Sequence, residues 1–285
     1  MNLTANSKGI LLAFSGIVLL SPDSLLIRLI DTDLWSLMFL RGLFMGVSLL
    51  LLNFVLHRGQ AVQQFKMLDR YAWGIIVLTA ISSFFFVASI QTTSVAHTLI
   101  IVGSTPVVAA VLALYFLHEK VSQNTWITIF IVVTGLAVVV YDDQQSTLKG
   151  DVYALIACLL WSVNFLLARL TRMADMVASM CIGGFMMALL SLPLAQLDTV
   201  SITQLLLSLL LGLLVGVSLS LITLAPRYIL AAEVAVFLPL ESVFGSLLVW
   251  WLVGEYPGSV SLTAGLVIVL AIMLNSYLQI SRSTK

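Results

Sequence analysis

Apolar windows follow one another along almost the whole chain, and they leave it only one kind of solvent. A bilayer core asks for roughly 20 consecutive apolar residues per helical crossing. Such windows lie near residues 10–30, 35–56, 71–90, 96–117, 125–141, 151–170, 176–195, 203–224, 231–253 and 259–279. Hydrocarbon supplies no partner for backbone N–H and C=O groups, so each window must satisfy its own as a helix. Composition agrees: 61% of the 285 residues are hydrophobic and only 9% are charged, against about 25% charged in soluble domains. The expected fold is an all-α integral membrane protein of ten transmembrane helices.

The basic residues set an orientation. With the N-terminus inside, Lys8, Arg58, Lys66, Arg70, Lys120, Arg169, Arg172, Arg227, Arg282 and Lys285 fall on the cytoplasmic side. The opposite loops carry Asp31, Asp33, Asp142, Asp143 and Asp198, with Lys149 as their one lysine. This positive-inside bias predicts that both termini are cytoplasmic. Lys8 and the apolar run after it look a little like a signal peptide. The run passes Pro22 and Asp23 to Ile30 without a small-x-small cleavage site, so it reads as the first span. Net charge is zero, which gives no reason to expect nucleic acid as a partner. Cys158 and Cys181 both lie in apolar runs and form neither a disulfide framework nor a metal-ligand spacing.

The chain repeats itself. Residues 8–29, KGILLAFSGIVLLSPDSLLIRL, align with 149–170, KGDVYALIACLLWSVNFLLARL, with nine of 22 positions identical. Leucine matches are cheap in membrane sequence, but the Lys-Gly and Arg-Leu pairs at fixed spacing are not. Later, Leu117-His118-Glu119 corresponds to Val253-Gly254-Glu255. The expected units are residues 1–145 and 146–285, five spans each. Five is odd, so the second unit enters the membrane inverted. Inverted repeats are a signature of alternating-access carriers, whose substrate site lies at the repeat interface near mid-membrane.

Charges inside the spans are the candidate site. A carboxylate at the centre of a span costs roughly 2.5–3.5 kcal/mol on insertion scales, so it is expected to face a cavity or a partner. Glu241 lies ten residues into Ala231–Glu255, just after Pro239, whose missing N–H breaks the helix near Val236. Asp23 follows Pro22 midway along the first span. It is expected to bind an amine, carry a proton, or pair with Arg41. Arg41 itself suits a substrate carboxylate, a role open beside neutralising Asp23. His97 opens the fourth span as a gate or helix-end residue, with Glu233 as its repeat mate. Trp161 and Asn164 share a helix face and are expected to line a cavity. Arg28 and Arg169 read as interfacial anchors, Glu119 and Glu255 as helix-end residues. Trp35, Trp73, Trp126, Trp250 and Trp251 read as an aromatic belt. Gly42 with Gly46, and Gly212 with Gly216, allow close helix contact within the bundle.

No enzyme signature is present. His118-Glu119 lacks the second histidine of HExxH, and neither GxSxG nor a P-loop occurs. No cofactor or metal is expected. The longest hydrophilic connection, about 57–70, is too short to fold alone, which disfavours a receptor or assembly factor. A channel is the third reading.

Phe39-Leu40-Arg41, Thr105-Pro106 followed by Glu119 in LHEK, and Leu240-Glu241-Ser242 followed by Glu255 in LVGE carry a resemblance. With the two five-span halves, the pattern resembles the drug/metabolite transporter superfamily and its EamA-type ten-helix members, over nearly the whole chain. Where that family commonly has Glu-Pro, this chain has Glu241-Ser242, with the proline at Pro239. The resemblance implies a central cavity lined by both halves and export of amino acids, amines or similar metabolites, with vitamin import as the alternative direction.

Overall fold

The computed structural model describes residues 5–116, 118, 123–142, 147–171, 176–229, 234 and 237–283. Among these residues the regular structure is helical throughout, with no strand. The first span is α1 (Ala5–Leu20) and α2 (Asp23–Ile30), separated by a turn at Ser21-Pro22. Pro22 brings no N–H to the ladder, and the Ser21 hydroxyl donates back to the Ile17 carbonyl at 2.8 Å. Next come α3 (Leu34–His57), the short α4 (Ala61–Lys66) and α5 (Arg70–Thr92). The fourth span is again broken, into α6 (Val95–Gly103) and α7 (Thr105–Phe116), where Pro106 follows the interruption at Ser104. α8 (Gln123–Asp142), α9 (Leu148–Leu170), α10 (Val177–Ser191) and α11 (Ile202–Leu224) follow, then α12 (Leu238–Val253) and α13 (Ser259–Ser283).

Side chains decide several of the ends. Asp69, Ser94, Thr147 and Ser201 accept from backbone N–H groups in the first turns of α5, α6, α9 and α11. Ser201 and Gln204 form a reciprocal capping box.

Seven segments are long and apolar enough to cross a membrane: Ser7–Ile30, Leu34–Leu56, Arg70–Thr92, Val95–Phe116, Leu148–Ala168, Val177–Leu194 and Ile202–Leu224. Three shorter apolar helices, Gln123–Val138, Leu238–Val253 and Ser259–Asn275, coincide with the fifth, ninth and tenth expected spans. The described part of the ninth is its later portion. Its helix begins at Leu238, so Pro239 occupies the first turn, where a missing N–H costs nothing. Glu241 sits in the first turn of α12. The expected break at Val236 and the residue Glu233 lie outside the described residues, as does Glu119.

The packing exchanges one half for the other. Take α1–α2 with α9 as mates, and likewise α3 with α10, α5 with α11, α6–α7 with α12, and α8 with α13. Three mates pack on each other directly: α3 on α10, α6 on α12 and α8 on α13. The remaining large contacts come in exchanged pairs: α5 on α9 with α11 on α1, α3 on α11 with α10 on α5, and α7 on α9 with α12 on α2. Some contacts depart from this exchange. Among the described residues, α2 packs on α5 and α13 on α6 more extensively than α9 on α11 and α8 on α12.

Small residues set the closest approaches, within the bundle as expected. A Cβ on Gly42 would stand 2.6 Å from the Gly184 carbonyl oxygen, and one on Gly212 would collide with Phe44 and Met45. Around these contacts a core of Leu25, Leu26, Met38, Phe86, Leu99 and Ala157 surrounds the first helix break.

Candidate functional site

Two of the charges expected inside the spans find each other. The α1–α2 break puts Asp23 in the first turn of α2, where the positive end of the helix dipole offsets part of its charge. Arg41 reaches it from α3, and its Nη2 donates to Asp23 Oδ2 at 2.7 Å. Each residue is only 4% exposed. The pair does not exhaust its own hydrogen-bonding capacity: Asp23 Oδ1 and Arg41 Nε and Nη1 are buried without a partner, as is the neighbouring Ser24 hydroxyl. Unsatisfied buried polar groups of this kind are rare and ask for water, an ion or a ligand.

Glu241 completes the group. It lies half-buried in the first turn of α12, close enough to feel both Asp23 and Arg41 electrostatically. α12 is held against the break by Gly245, whose Cβ would lie 3.1 Å from the Ser24 Oγ and 3.3 Å from the Ser21 carbonyl. The Ser242 hydroxyl donates to the Leu99 carbonyl at 2.7 Å and ties α12 to α6. Two acids in first helical turns and one base, from three different spans, thus interact through space. That arrangement favours a ligand with a positive group and a hydrogen-bonding or negative group.

Trp161 stands one ring away from this group. The Arg41 guanidinium carbon lies 5.9 Å from the Phe86 ring centre, and Phe86 and Trp161 are 5.1 Å apart. Asn164, three residues further along α9, donates to Thr79 Oγ1 at 3.1 Å and leaves its own Oδ1 unpartnered. His97 belongs to a different cluster. Its Nε2 lies 3.2 Å from the Ser261 hydroxyl and its Nδ1 3.4 Å from Asp151 Oδ1. Thr93 donates to that same carboxylate oxygen at 3.2 Å, and Ser89 links Thr98 at 2.7 Å to the Gly150 carbonyl at 2.9 Å.

Arg28 departs from its expected role as an anchor beside headgroups. Its Nε donates to Glu255 Oε2 at 3.0 Å, its Nη1 to the Ile90 carbonyl at 2.7 Å and its Nη2 to the Thr93 carbonyl at 2.9 Å. Glu255 in turn accepts from the Val95 N–H at 2.7 Å. Glu255 is a helix-end residue as expected, but the end it satisfies belongs to α6 in the other half. The Arg169 side chain lies outside the described residues.

A groove of about 720 Å³ opens beside the α1–α2 break, lined by Val18 and Ser21 on one side and by Phe244, Leu247, Leu248 and Trp251 on the other. It is apolar and does not include the charged group. The polar centre is packed shut around Asp23 and Arg41.

Sequence reasoning missed Asp151 and Ser261 as partners of His97, and Phe86 as the bridge to Trp161. Asp151 carried a legible signal, an acid in the first turn of an apolar window. Ser261 and Phe86 carried none that separates them from other serines and phenylalanines.

Comparison with known proteins bears on the same geometry. The sequence description of the EamA-like transporter family matches this chain twice, over residues 7–141 and 148–277. A solved structure described as "Crystal structure of protein" superposes with a TM-score of 0.69 at 16% identity, covering 98% of this chain and 100% of its own. At that identity the likeness speaks for the fold alone. No curated protein matches the chain. With two family matches spanning both halves of a helical bundle that exchanges one half for the other, the chain belongs to the EamA-like transporter family, within the drug/metabolite transporter superfamily.

Proposed function

We propose that this protein is a secondary transporter that exports a small charged metabolite, an amino acid or an amine, across a bacterial-type inner membrane by alternating access. The reading takes residues 1–145 and 146–285 as inverted five-span repeats with both termini cytoplasmic. The exchange of packing partners between the halves supports it, because a two-fold relation between inverted units gives such pairs. The observation that carries the proposal is the buried Asp23–Arg41 pair with donors left over and Glu241 in reach. A purely structural ion pair has no use for two unpartnered guanidinium nitrogens, since each buried orphan costs about 1–3 kcal/mol.

In this mechanism Asp23 and Arg41 bind the charged ends of the cargo. Glu241 is the coupling group, exchanging a proton as the site changes faces. Trp161 and Asn164 line the chamber on the α9 side. Purified protein in liposomes, challenged with labelled amino acids, amines and vitamins, tests the reading. Saturable counterflow of one class is expected, and it is lost in Glu241→Gln. A Glu241→Gln protein that transports at the wild-type rate removes Glu241 from the site. Flux that does not saturate turns the reading into a channel, and transport that ignores an imposed pH gradient removes the proton.

A further inference from the structure

We infer that the end of the bundle bearing Asp31 is a gate, and that the Arg28–Glu255 ion pair, with the His97–Asp151–Ser261 cluster behind it, holds that gate closed. The inference rests on the transporter reading and names the residues that would control one of its two openings.

Several ties at this end cross from one half of the chain to the other, beside others that stay within the first half, such as Arg28 on the Ile90 and Thr93 carbonyls. Arg28 of α2 binds Glu255 of the segment after α12, and Glu255 accepts from Val95 at the start of α6. His97 of α6 meets Asp151 at the start of α9 and Ser261 at the start of α13. Thr147 and Thr93 add a third seam: the Thr147 hydroxyl donates to the Thr92 carbonyl at 2.6 Å, and the Thr147 N–H donates to Thr93 Oγ1 at 3.2 Å. The contacts that depart from the exchange of halves belong to this same end: among the described residues, α2 on α5 and α13 on α6 pack more extensively than their counterparts. One end is therefore drawn together more tightly than the repeat alone requires.

The chemistry suits a reversible bolt. Arg28 and Glu255 retain partial exposure, 28% and 17% of their side chains. A pair at that depth can rehydrate when the halves part, whereas a fully buried pair would strand two dry charges. Arg28 also binds carbonyls at the end of α5 and Glu255 the first N–H of α6, so the pair joins these two helix ends to each other. Opening at this end is thus coupled to movement of α5 and α6, which border the Asp23–Arg41 site through Phe86 and Leu99.

Amide hydrogen exchange of the purified full chain in nanodiscs tests this without any substrate, so its outcome is independent of whether cargo has been found. Glu255→Gln keeps an acceptor for the Val95 N–H but removes the charge. It is expected to raise exchange at least fivefold in residues 88–101 and 255–262, leaving residues 37–49 of α3 unchanged. Arg28→Lys, which keeps a charge but loses the forked contacts, is expected to give a smaller rise in the same segments. Unchanged exchange in both variants overturns the gate. So does a rise that extends to residues 37–49, because that reports loss of the fold rather than opening of one end. In liposomes, a gate further predicts that Glu255→Gln changes the maximal rate several-fold while KM stays within twofold.

Discussion

At the scale of single residues, Asp23 and Glu241 look alike in sequence and differ in structure. Both are acids that follow a proline in an apolar window, and both sit in a first helical turn. Asp23 is bound to Arg41, and Glu241 is not part of any ion pair among the described residues. Substitution should separate them. Asp23→Ala leaves a buried guanidinium alone, which costs about 3–5 kcal/mol. Replacing both partners, Asp23→Leu with Arg41→Met, is expected to restore most of that stability while leaving transport at background. Thermal unfolding in detergent, read beside liposome uptake, checks both outcomes. Glu241→Gln is expected to unfold within a few degrees of wild type and still lose transport. The Asp23–Arg41 partnership was one of two readings open from the sequence, because both residues lie in adjacent spans. His97 was legible as a helix-end histidine. Its partners were not, since Asp151 and Ser261 lie 54 and 164 positions away and only the tertiary fold joins them.

At the scale of elements, the apolar windows gave the helices well and their interruptions unevenly. Ser21-Pro22 and Thr105-Pro106 both mark real breaks, for the reason a proline always offers. Pro106 and Pro239 occupy the same place, the second position of α7 and of α12, where a proline's missing N–H is tolerated. The small-residue patterns were read correctly as contacts inside the bundle, because Gly42 and Gly46 face Gly184 and Phe185, and Gly212 and Gly216 face α3. The backbone of α10 stands where a Gly42 side chain would go. Gly42→Ala is therefore expected to destabilise by about 1–3 kcal/mol, the usual cost of overpacking. Gly59→Ala serves as the control, since no atom lies within 4 Å of its Cβ position and its backbone φ is not in the left-handed region. A Gly42→Ala protein that melts with wild type would mean that α3 and α10 can part without loss.

At the scale of the whole molecule, the repeat is the feature from which most else follows, and the packing is organised around it. Self-similarity between residues 8–29 and 149–170 announced two units. It could not announce that one end would be tied more firmly than the other, because a repeat specifies equal ends and a single conformation must choose between them. Inversion makes a sharp demand on topology. The connection after α3 and its mate after α10 occupy corresponding places in the two units, so inverted units put them on opposite faces. Gln63 and Asp198 are exposed in these two connections. With Cys158 and Cys181 replaced by alanine, Gln63→Cys and Asp198→Cys give one reporter on each. In intact cells an impermeant maleimide is expected to label Asp198→Cys and to spare Gln63→Cys until the membrane is opened. That order is expected from the basic residues Arg58, Lys66 and Arg70, which favour the cytoplasmic side for the first connection under the proposed orientation. Labelling of both reporters from the same side would place the two units in parallel. Parallel units exchange their packing partners about an axis normal to the membrane, which leaves the Asp31 end equivalent to its own mate. A gate at that end would then have no repeat-related counterpart on the opposite face, and the inverted-repeat reading would fail.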